Sequence, residues 1–266
     1  MLDHEKYANL LSYLTALERA IVAFSGGVDS TFLLFVAQKA LADNVLAVTL
    51  ATPYVAQWEL EQAQAFTEQH QIRHITLELP TPENIKDNPP QRCYLCKQAL
   101  FTQLLTLATA KGYEHVLEGT NLDDLNDYRP GFRALQELNI RSPLLANRFT
   151  KADIRYFSRQ FNLPTWNKPA YACLLTRLPH HTPIEPQLLS QIEQAEKYLM
   201  HLGFKTVRVR CHGRLARIEV AQTERQRLLT DPLSEHILMT LKQLGFDYVT
   251  VDLQGYQLGS FNLTTP

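Results

Sequence analysis

The 266-residue sequence lacks any charge imbalance: 26 Lys and Arg face 27 Asp and Glu, for a net charge of −1 and a pI near 6.8. That excludes a chain drawn by its overall charge to nucleic acid or anionic membrane, though it leaves room for a local basic patch. Long hydrophobic runs are missing too, and none approaches the roughly 20 residues of a membrane span. The first residues, Met1-Leu2-Asp3-His4-Glu5-Lys6, carry neither the basic nor the apolar stretch of a secretion signal, so a cytoplasmic protein is expected. Cysteine is sparse, with four residues at 93, 96, 173 and 211; in a reducing compartment C-x-x-C spacing speaks for metal or redox work over a disulfide framework. There is no G-x-x-x-x-G-K-[ST] and no G-x-G-x-x-G, which excludes a Walker NTPase and a dinucleotide fold of the usual type. No internal repeat or biased tract appears. What remains is an ordinary globular composition, 45% hydrophobic and 20% charged, long enough for one large domain or two small ones.

The apolar pattern predicts alternating elements. Residues 5–18 carry a helical stripe, and Ala20-Ile21-Val22-Ala23-Phe24 is a buried strand stopped by Ser25-Gly26-Gly27. Helices are expected at 30–42, 56–70, 96–111 and 151–161, the last capped by Thr150, with strands at 45–51, 72–79 and 115–118. Strands alternating with helices of this length mean βαβ units and a parallel sheet, hence an α/β fold. Two irregular stretches interrupt it: residues 80–92, with four prolines ahead of Cys93, and residues 163–186, with five prolines around Cys173. Loops this long are usually functional. The second reads as a boundary, dividing a domain at 1–165 and a cysteine-bearing linker at 166–186 from a smaller α+β domain at 187–266. That last domain is expected to hold a helix at 187–202, a strand pair turned at His212-Gly213, a helical region at 223–244 and a strand at 247–253.

Ser25-Gly26-Gly27-Val28-Asp29-Ser30 lies between a buried strand and a helix. Ligands of open parallel sheets lie off the carboxyl ends of the strands, and a helix start offers N–H groups and a dipole to an anion. Gly26 and Gly27 admit positive φ and close approach of phosphate oxygens, while Ser25 and Ser30 add hydroxyls. The bland alternative is a glycine turn with a serine cap, but the six-residue string in this context is far more specific. It resembles the PP-loop ATP pyrophosphatase superfamily, which implies a hydrolase-like doubly wound sheet and attack at the α-phosphate of ATP. A second match, Glu118-Gly119-Thr120-Asn121-Leu122-Asp123-Asp124, resembles that superfamily's other nucleotide loop. It would put Gly119, Thr120 and Asn121 beside ATP, and Asp124 or Asp123 near Mg²⁺; the alternative is a solvated acidic turn. Asp29 and Ser30 are the expected catalytic pair on the nucleotide side.

Cys93-Tyr94-Leu95-Cys96 begins a helix, and Cys173 sits in Tyr171-Ala172-Cys173-Leu174-Leu175-Thr176-Arg177. Cys211 shares a strand face with Val207 and Val209 and reads as a core thiol. A structural zinc needs four ligands, which His180 or His181 could complete. Three thiolates instead leave one iron of a [4Fe–4S] cluster open to an extra ligand such as sulfide. The cluster on Cys93, Cys96 and Cys173 is the preferred reading; zinc and a lone reactive Cys173 remain open.

Together with Ala172-Cys173-Leu174, an Arg-rich hairpin at 207–220 and Leu253-Gln254-Gly255-Tyr256-Gln257-Leu258-Gly259-Ser260, these motifs resemble the LarE-type sulfur transferases over essentially the whole chain. The resemblance implies the substrate, pyridinium-3,5-biscarboxylic acid mononucleotide. Its carboxylates would be adenylated and converted to thiocarboxylates, with release of AMP and pyrophosphate, toward the nickel-pincer cofactor of lactate racemase. It also implies that Cys173 is catalytic, giving up its own sulfur in one branch of the family and joining Cys93 and Cys96 around an iron–sulfur cluster in the other, which this chain resembles. A homo-oligomer is suggested, a hexamer being one form, with no membrane or nucleic-acid partner. On the hairpin, Val207, Val209, Ala216, Ile218 and Val220 form one face and Arg208, Arg210, Arg217 and Glu219 the other. Arginine forks suit a nucleotide phosphate; the alternative is a solvated edge. A tRNA thiolation enzyme would want a basic RNA surface, an amidotransferase-type synthetase needs a glutaminase that this length cannot hold, and a nucleotide-sensing module would not need three cysteines.

Overall fold

The computed structural model describes residues 2–126 and 130–256. They form two compact units, one drawn from residues 2–85, 91–126 and 130–171, the other from 86–90 and 172–256. None of the described helices is long and apolar enough to cross a membrane.

The first unit is a four-stranded parallel sheet of β1 (Ala20–Ala23), β2 (Val45–Ala51), β3 (His74–Glu78) and β4 (Val116–Leu117), in the order β3-β2-β1-β4. Helices α1 (Leu2–Thr15), α2 (Val28–Leu41), α3 (Gln57–Gln69), α4 (Arg92–Ala110), α5 (Pro130–Glu137), α6 (Pro143–Ala146) and α7 (Lys151–Gln160) complete it. The apolar runs of β1 and β2 are continuous because both faces of the sheet are covered. Ala20, Val22, Val45 and Ala47 join Leu10, Leu14, Phe32, Leu33, Phe149 and Phe157 in one core. Ile21, Leu46, Val48 and Val116 join Phe101, Leu104 and Leu135 in the other. Phe32 lies against Phe149 and Phe157 at ring separations of 5.6 and 6.0 Å. The expected Thr150 cap is present as a full capping box with Asp153, which satisfies N–H groups at both the cap and the third helical residue. The shorter helices α5 and α6 escaped the sequence reading because each is too short to show a period.

In the second unit α8 (Pro186–His201) packs on a three-stranded sheet. Strands β5 (Val207–His212) and β6 (Leu215–Val220) form the expected hairpin, with Gly213 at φ 62° in its turn, and β7 (Tyr248–Val251) pairs parallel to β6. The single helical region expected at 223–244 is interrupted. A 3-10 turn at Gln222–Glu224 and α9 (Arg225–Leu228) are followed by a separate α10 (Leu233–Gln243), with Asp231-Pro232 in the break. Val207, Val209, Cys211, Ala216, Ile218 and Val220 line the predicted apolar face and are buried. The opposite face is not a solvated edge, for Arg208 and Arg210 are only 2% and 4% exposed.

Candidate active site

The turn between β1 and α2 builds the site. Gly26 has φ 67°, a left-handed conformation that glycine adopts without strain. Its α-carbon backs onto Ala63 of α3, where an added Cβ would lie 3.4 Å from the alanine methyl. Gly27 is the N-cap of α2 and no side chain caps the helix, so first-turn N–H groups and the dipole are left to an anion. The two serines brace the turn: Ser25 Oγ and Ser30 Oγ lie 3.1 Å apart, and Ser30 Oγ also donates to the Gly27 carbonyl at 3.3 Å.

The second loop leaves β4 and wraps the same helix start. A Cβ on Gly119 would stand 3.0 Å from the Ser30 nitrogen and 3.2 Å from Asp29 Cβ, so a larger residue here would push the start of α2 by a few tenths of an ångström. Asn121 Nδ2 donates to Asp29 Oδ1 at 3.5 Å, and the Asn121 N–H donates to Asp124 Oδ2 at 3.0 Å. Glu118, buried, accepts from Thr120 N–H at 3.0 Å, from the Thr120 hydroxyl at 2.8 Å and from Ser142 Oγ. The structure therefore brings Ser25, Gly26, Gly27, Asp29, Ser30, Gly119, Thr120, Asn121 and Asp124 to one end of the parallel sheet, off the carboxyl ends of β1 and β4.

Two lysines belong to this site although no motif announced them. Lys151, the residue after the Thr150 cap, has its ammonium paired with Asp29 Oδ2, and its N–H donates to Asp123 Oδ2 at 2.8 Å. Lys168 donates to the Gly26 carbonyl at 3.0 Å and to Gln62 Oε1 at 2.8 Å, with its ammonium 5.3 Å from the Trp58 ring centre. Burial pulls the Lys168 pKa below the usual lysine range, with Glu59 pulling it back up. Only the capping residue beside Lys151 gave a sequence signal; Lys168 lies in the proline-rich stretch, where no period guides a reading.

Cys93 and Cys96 occupy the first turn of α4. Cys93 is exposed, while Cys96 is half-buried with Sγ 3.0 Å from the Tyr54 hydroxyl. Burial raises the Cys96 thiol pKa, and the Tyr54 hydrogen bond works against that rise. Cys173 lies in the second unit, at the N-cap of a short 3-10 turn. Among the described residues no group of three or more His, Cys, Asp or Glu is gathered for a metal ion. Cys211 is buried and its thiol is pushed up to about 11, which makes it inert as the core reading expects.

On the hairpin, Arg210 grips Glu219 through Nε at 3.0 Å and Nη2 at 2.9 Å. Arg217 reaches the same carboxylate at 3.0 Å and Asp252 at 3.3 Å. The Arg208 guanidinium lies 5.0 Å from the Tyr256 ring centre. Of the C-terminal motif, Gln257 to Ser260 lie outside the described residues.

A covered parallel sheet, a glycine turn at an uncapped helix start and a carboxylate-bearing loop beside it define a PP-loop nucleotide-binding protein. The family described as queuosine biosynthesis protein QueC matches residues 19–93, which hold β1, the turn and α2. The uncharacterized protein slr1717 of Synechocystis is 42% identical over 97% of each chain. The pyridinium-3,5-bisthiocarboxylic acid mononucleotide synthase of Lactiplantibacillus plantarum is 37% identical over 97% of this chain and 94% of its own. The uncharacterized protein MJ0830 of Methanocaldococcus jannaschii is 32% identical over 90% and 91%. The chain belongs to the family of that mononucleotide synthase, the LarE-type sulfurtransferases of the PP-loop group.

Gly119→Ala tests the nucleotide site. Forcing a methyl against the Ser30 nitrogen is overpacking of about 1–3 kcal/mol, and ATP affinity is expected to fall about ten- to a hundredfold in calorimetric titration. Unchanged ATP affinity would place the nucleotide elsewhere.

Proposed function

We propose that the protein is an ATP-dependent sulfurtransferase that converts the carboxylates of pyridinium-3,5-biscarboxylic acid mononucleotide to thiocarboxylates. The observation that carries this reading is the bare start of α2 beside Asp29, in a chain related over nearly its whole length to a synthase of the bisthiocarboxylic product. In the first step a substrate carboxylate oxygen attacks the α-phosphorus of ATP, the bond to the β-phosphate oxygen breaks, and pyrophosphate leaves. Such a transfer depends on positioning and charge neutralisation more than on covalent help from the protein. The N–H groups of α2 and the Ser25 and Ser30 hydroxyls serve the phosphates. Asp124 or Asp123, hard oxygen ligands on the second loop, would hold Mg²⁺, which would neutralise charge on the leaving pyrophosphate. In the second step hydrosulfide attacks the acyl carbon, AMP departs with its oxygen, and a thiocarboxylate and a proton remain; no electrons change hands.

The sulfur step is assigned to Cys93, Cys96 and Cys173, and the placing of Cys93 and Cys96 supports the first two of these. Two thiols at i and i+3 in one helical turn share a face and are suited to one inorganic centre, which is how Cys93 and Cys96 are placed. With Cys173 they would hold a [4Fe–4S] cluster, which supplies an open iron for sulfide. The first unit, on this reading, activates the substrate. The second binds it and joins copies of the chain into a homo-oligomer, with Arg208 on the nucleotide phosphate; Arg210 and Arg217, which already hold Glu219, would have to give up that carboxylate to join it.

Three outcomes are expected. Turnover with ATP yields AMP and pyrophosphate and stops in Asp29→Ala and Ser30→Ala; ADP and phosphate as products exclude this chemistry. Anaerobically reconstituted protein contains iron and labile sulfide, lost in Cys93→Ala, Cys96→Ala or Cys173→Ala and kept in Cys211→Ala; one zinc and no iron rules out the cluster, and loss of H₂S from Cys173 after turnover marks the sacrificial route. Arg208→Ala removes a charge-assisted contact of about 1.5–3 kcal/mol, so mononucleotide binding weakens about ten- to a hundredfold with ATP affinity unchanged. Arg210→Ala would also strip Glu219 and the Thr176 carbonyl of a partner, so Arg208 is the cleaner test. A parallel fall in ATP affinity removes this face from consideration.

A further inference from the structure

Arg177 is among the largest fully enclosed side chains of the described residues, at 2% exposure, and sits four residues after Cys173. Its Nε and Nη2 form a two-pronged bond to Glu196 of α8 at 2.9 and 2.8 Å. The remaining arm, Nη1, turns back on the cysteine loop. It donates to the Ala172 carbonyl at 2.6 Å, the Cys173 carbonyl at 3.1 Å and the Thr176 hydroxyl at 2.8 Å. Glu196, equally buried, also accepts from the Val209 N–H of β5 at 2.8 Å. One guanidinium thus joins the backbone on both sides of the Cys173 α-carbon to a helix and a strand.

The same turn is held from a second side. Arg210 donates to the Thr176 carbonyl while gripping Glu219, and the Thr176 hydroxyl donates to the Cys173 carbonyl at 3.0 Å. A buried Arg–Glu pair is a poor device for stability alone, because desolvation of the two ions consumes most of their attraction and an apolar pair of similar volume often does as well. What an apolar pair cannot do is hold three oxygens of one loop at fixed positions. We infer that Arg177, oriented by Glu196, is a positioning residue that fixes Cys173 for sulfur transfer. The inference rests on the reading above, in which Cys173 handles the transferred sulfur, and it goes beyond that reading by assigning a function to a residue that meets no solvent.

The test uses the full chain and separates the two steps. Arg177→Met with Glu196→Met replaces the ions by apolar volume, and Thr176→Val is a milder change that removes one anchor without touching the ion pair. Pyrophosphate release, which the first unit carries out, is expected to stay within about twofold of wild type. Thiocarboxylate output falls about ten- to a hundredfold in the double variant, the range that a misplacement of about 1 Å produces, and by less in Thr176→Val. The rate at which iodoacetamide labels Cys173, measured by mass spectrometry against Cys93 in the same folded sample, shifts in both variants. Arg177→Lys, which keeps the charge and loses the fork, recovers part of the output. A folded double variant with wild-type output and wild-type Cys173 labelling overturns the inference. So does a labelling rate that Thr176→Val leaves unmoved if the double variant does not fold. If wild-type protein makes no thiocarboxylate, the functional reading fails by itself, and the labelling rates still decide whether Arg177 sets the position of Cys173.

Discussion

A helix can bind a polyphosphate at its start only if the N–H groups of its first turn are left unused, and the first unit is arranged around that constraint. A capping side chain would stabilise α2 by a few tenths of a kcal/mol over glycine, yet Gly27 occupies the cap and supplies none. The turn must therefore be held by other means. Gly26 turns through a left-handed conformation against Ala63, Lys168 takes the Gly26 carbonyl, and the paired serine hydroxyls tie one end of the turn to the other. The core beneath supplies the rigidity. β1 has neighbours on both sides, and α2 buries Phe32, Leu33, Leu34 and Val36.

The second unit meets a different constraint with different means. Its small sheet carries charge on a buried face, where unpaired ions would cost far more than they do in water. Buried Arg177 and Arg210 meet Glu196 and Glu219, the half-buried Arg217 shares Glu219 while also meeting Asp252, and buried Arg208 lies against the Tyr256 ring. The apolar side of β5 and β6 is formed by Val207, Val209, Ala216, Ile218 and Val220 and supplies the burial that such a sheet needs to be stable. Only one side of the hairpin is a hydrophobic surface in the ordinary sense; the other is a layer of ion pairs under the cysteine loop.

Residues whose role is written in local pattern were legible from sequence, and those whose role is written in long-range contact were not. β1 and β2 showed themselves as apolar runs because burial on both faces removes alternation. The Thr150 cap, the hairpin turn at Gly213 and the core thiol Cys211 each follow from one or two neighbours in sequence. The Gly-Gly turn and the acidic loop stand out in the sequence as short motifs, and they lie side by side at the start of α2. Lys151 and Lys168 were not visible, for they reach Asp29 and Gly26 across 122 and 142 positions of chain, and no local period records such a contact. The alternation of valine and arginine on the hairpin was read correctly as two faces, but period 2 says only that the faces differ. That the arginine side is buried depends on contacts distant in sequence, among them the one from Arg210 to the Thr176 carbonyl.

Lys168 shows how far one such contact reaches. Its ammonium is satisfied by a carbonyl and an amide oxygen, and burial lowers its pKa. An ion kept in that position ties the turn at Gly26 to the segment that follows α7. The same segment is held at two more points, since Arg155 of α7 donates to the carbonyls of Trp166 and Lys168 at 2.7 and 2.8 Å, and Tyr171 lies edge-on to Trp58 at 4.8 Å. A run of prolines and short polar residues that forms no regular element is thereby fixed within the first unit as far as Tyr171, two positions before Cys173 in the chain. The segment owes its order to a few directed contacts, chiefly one lysine, one arginine and one aromatic pair, and its first anchor is the glycine turn at the start of α2.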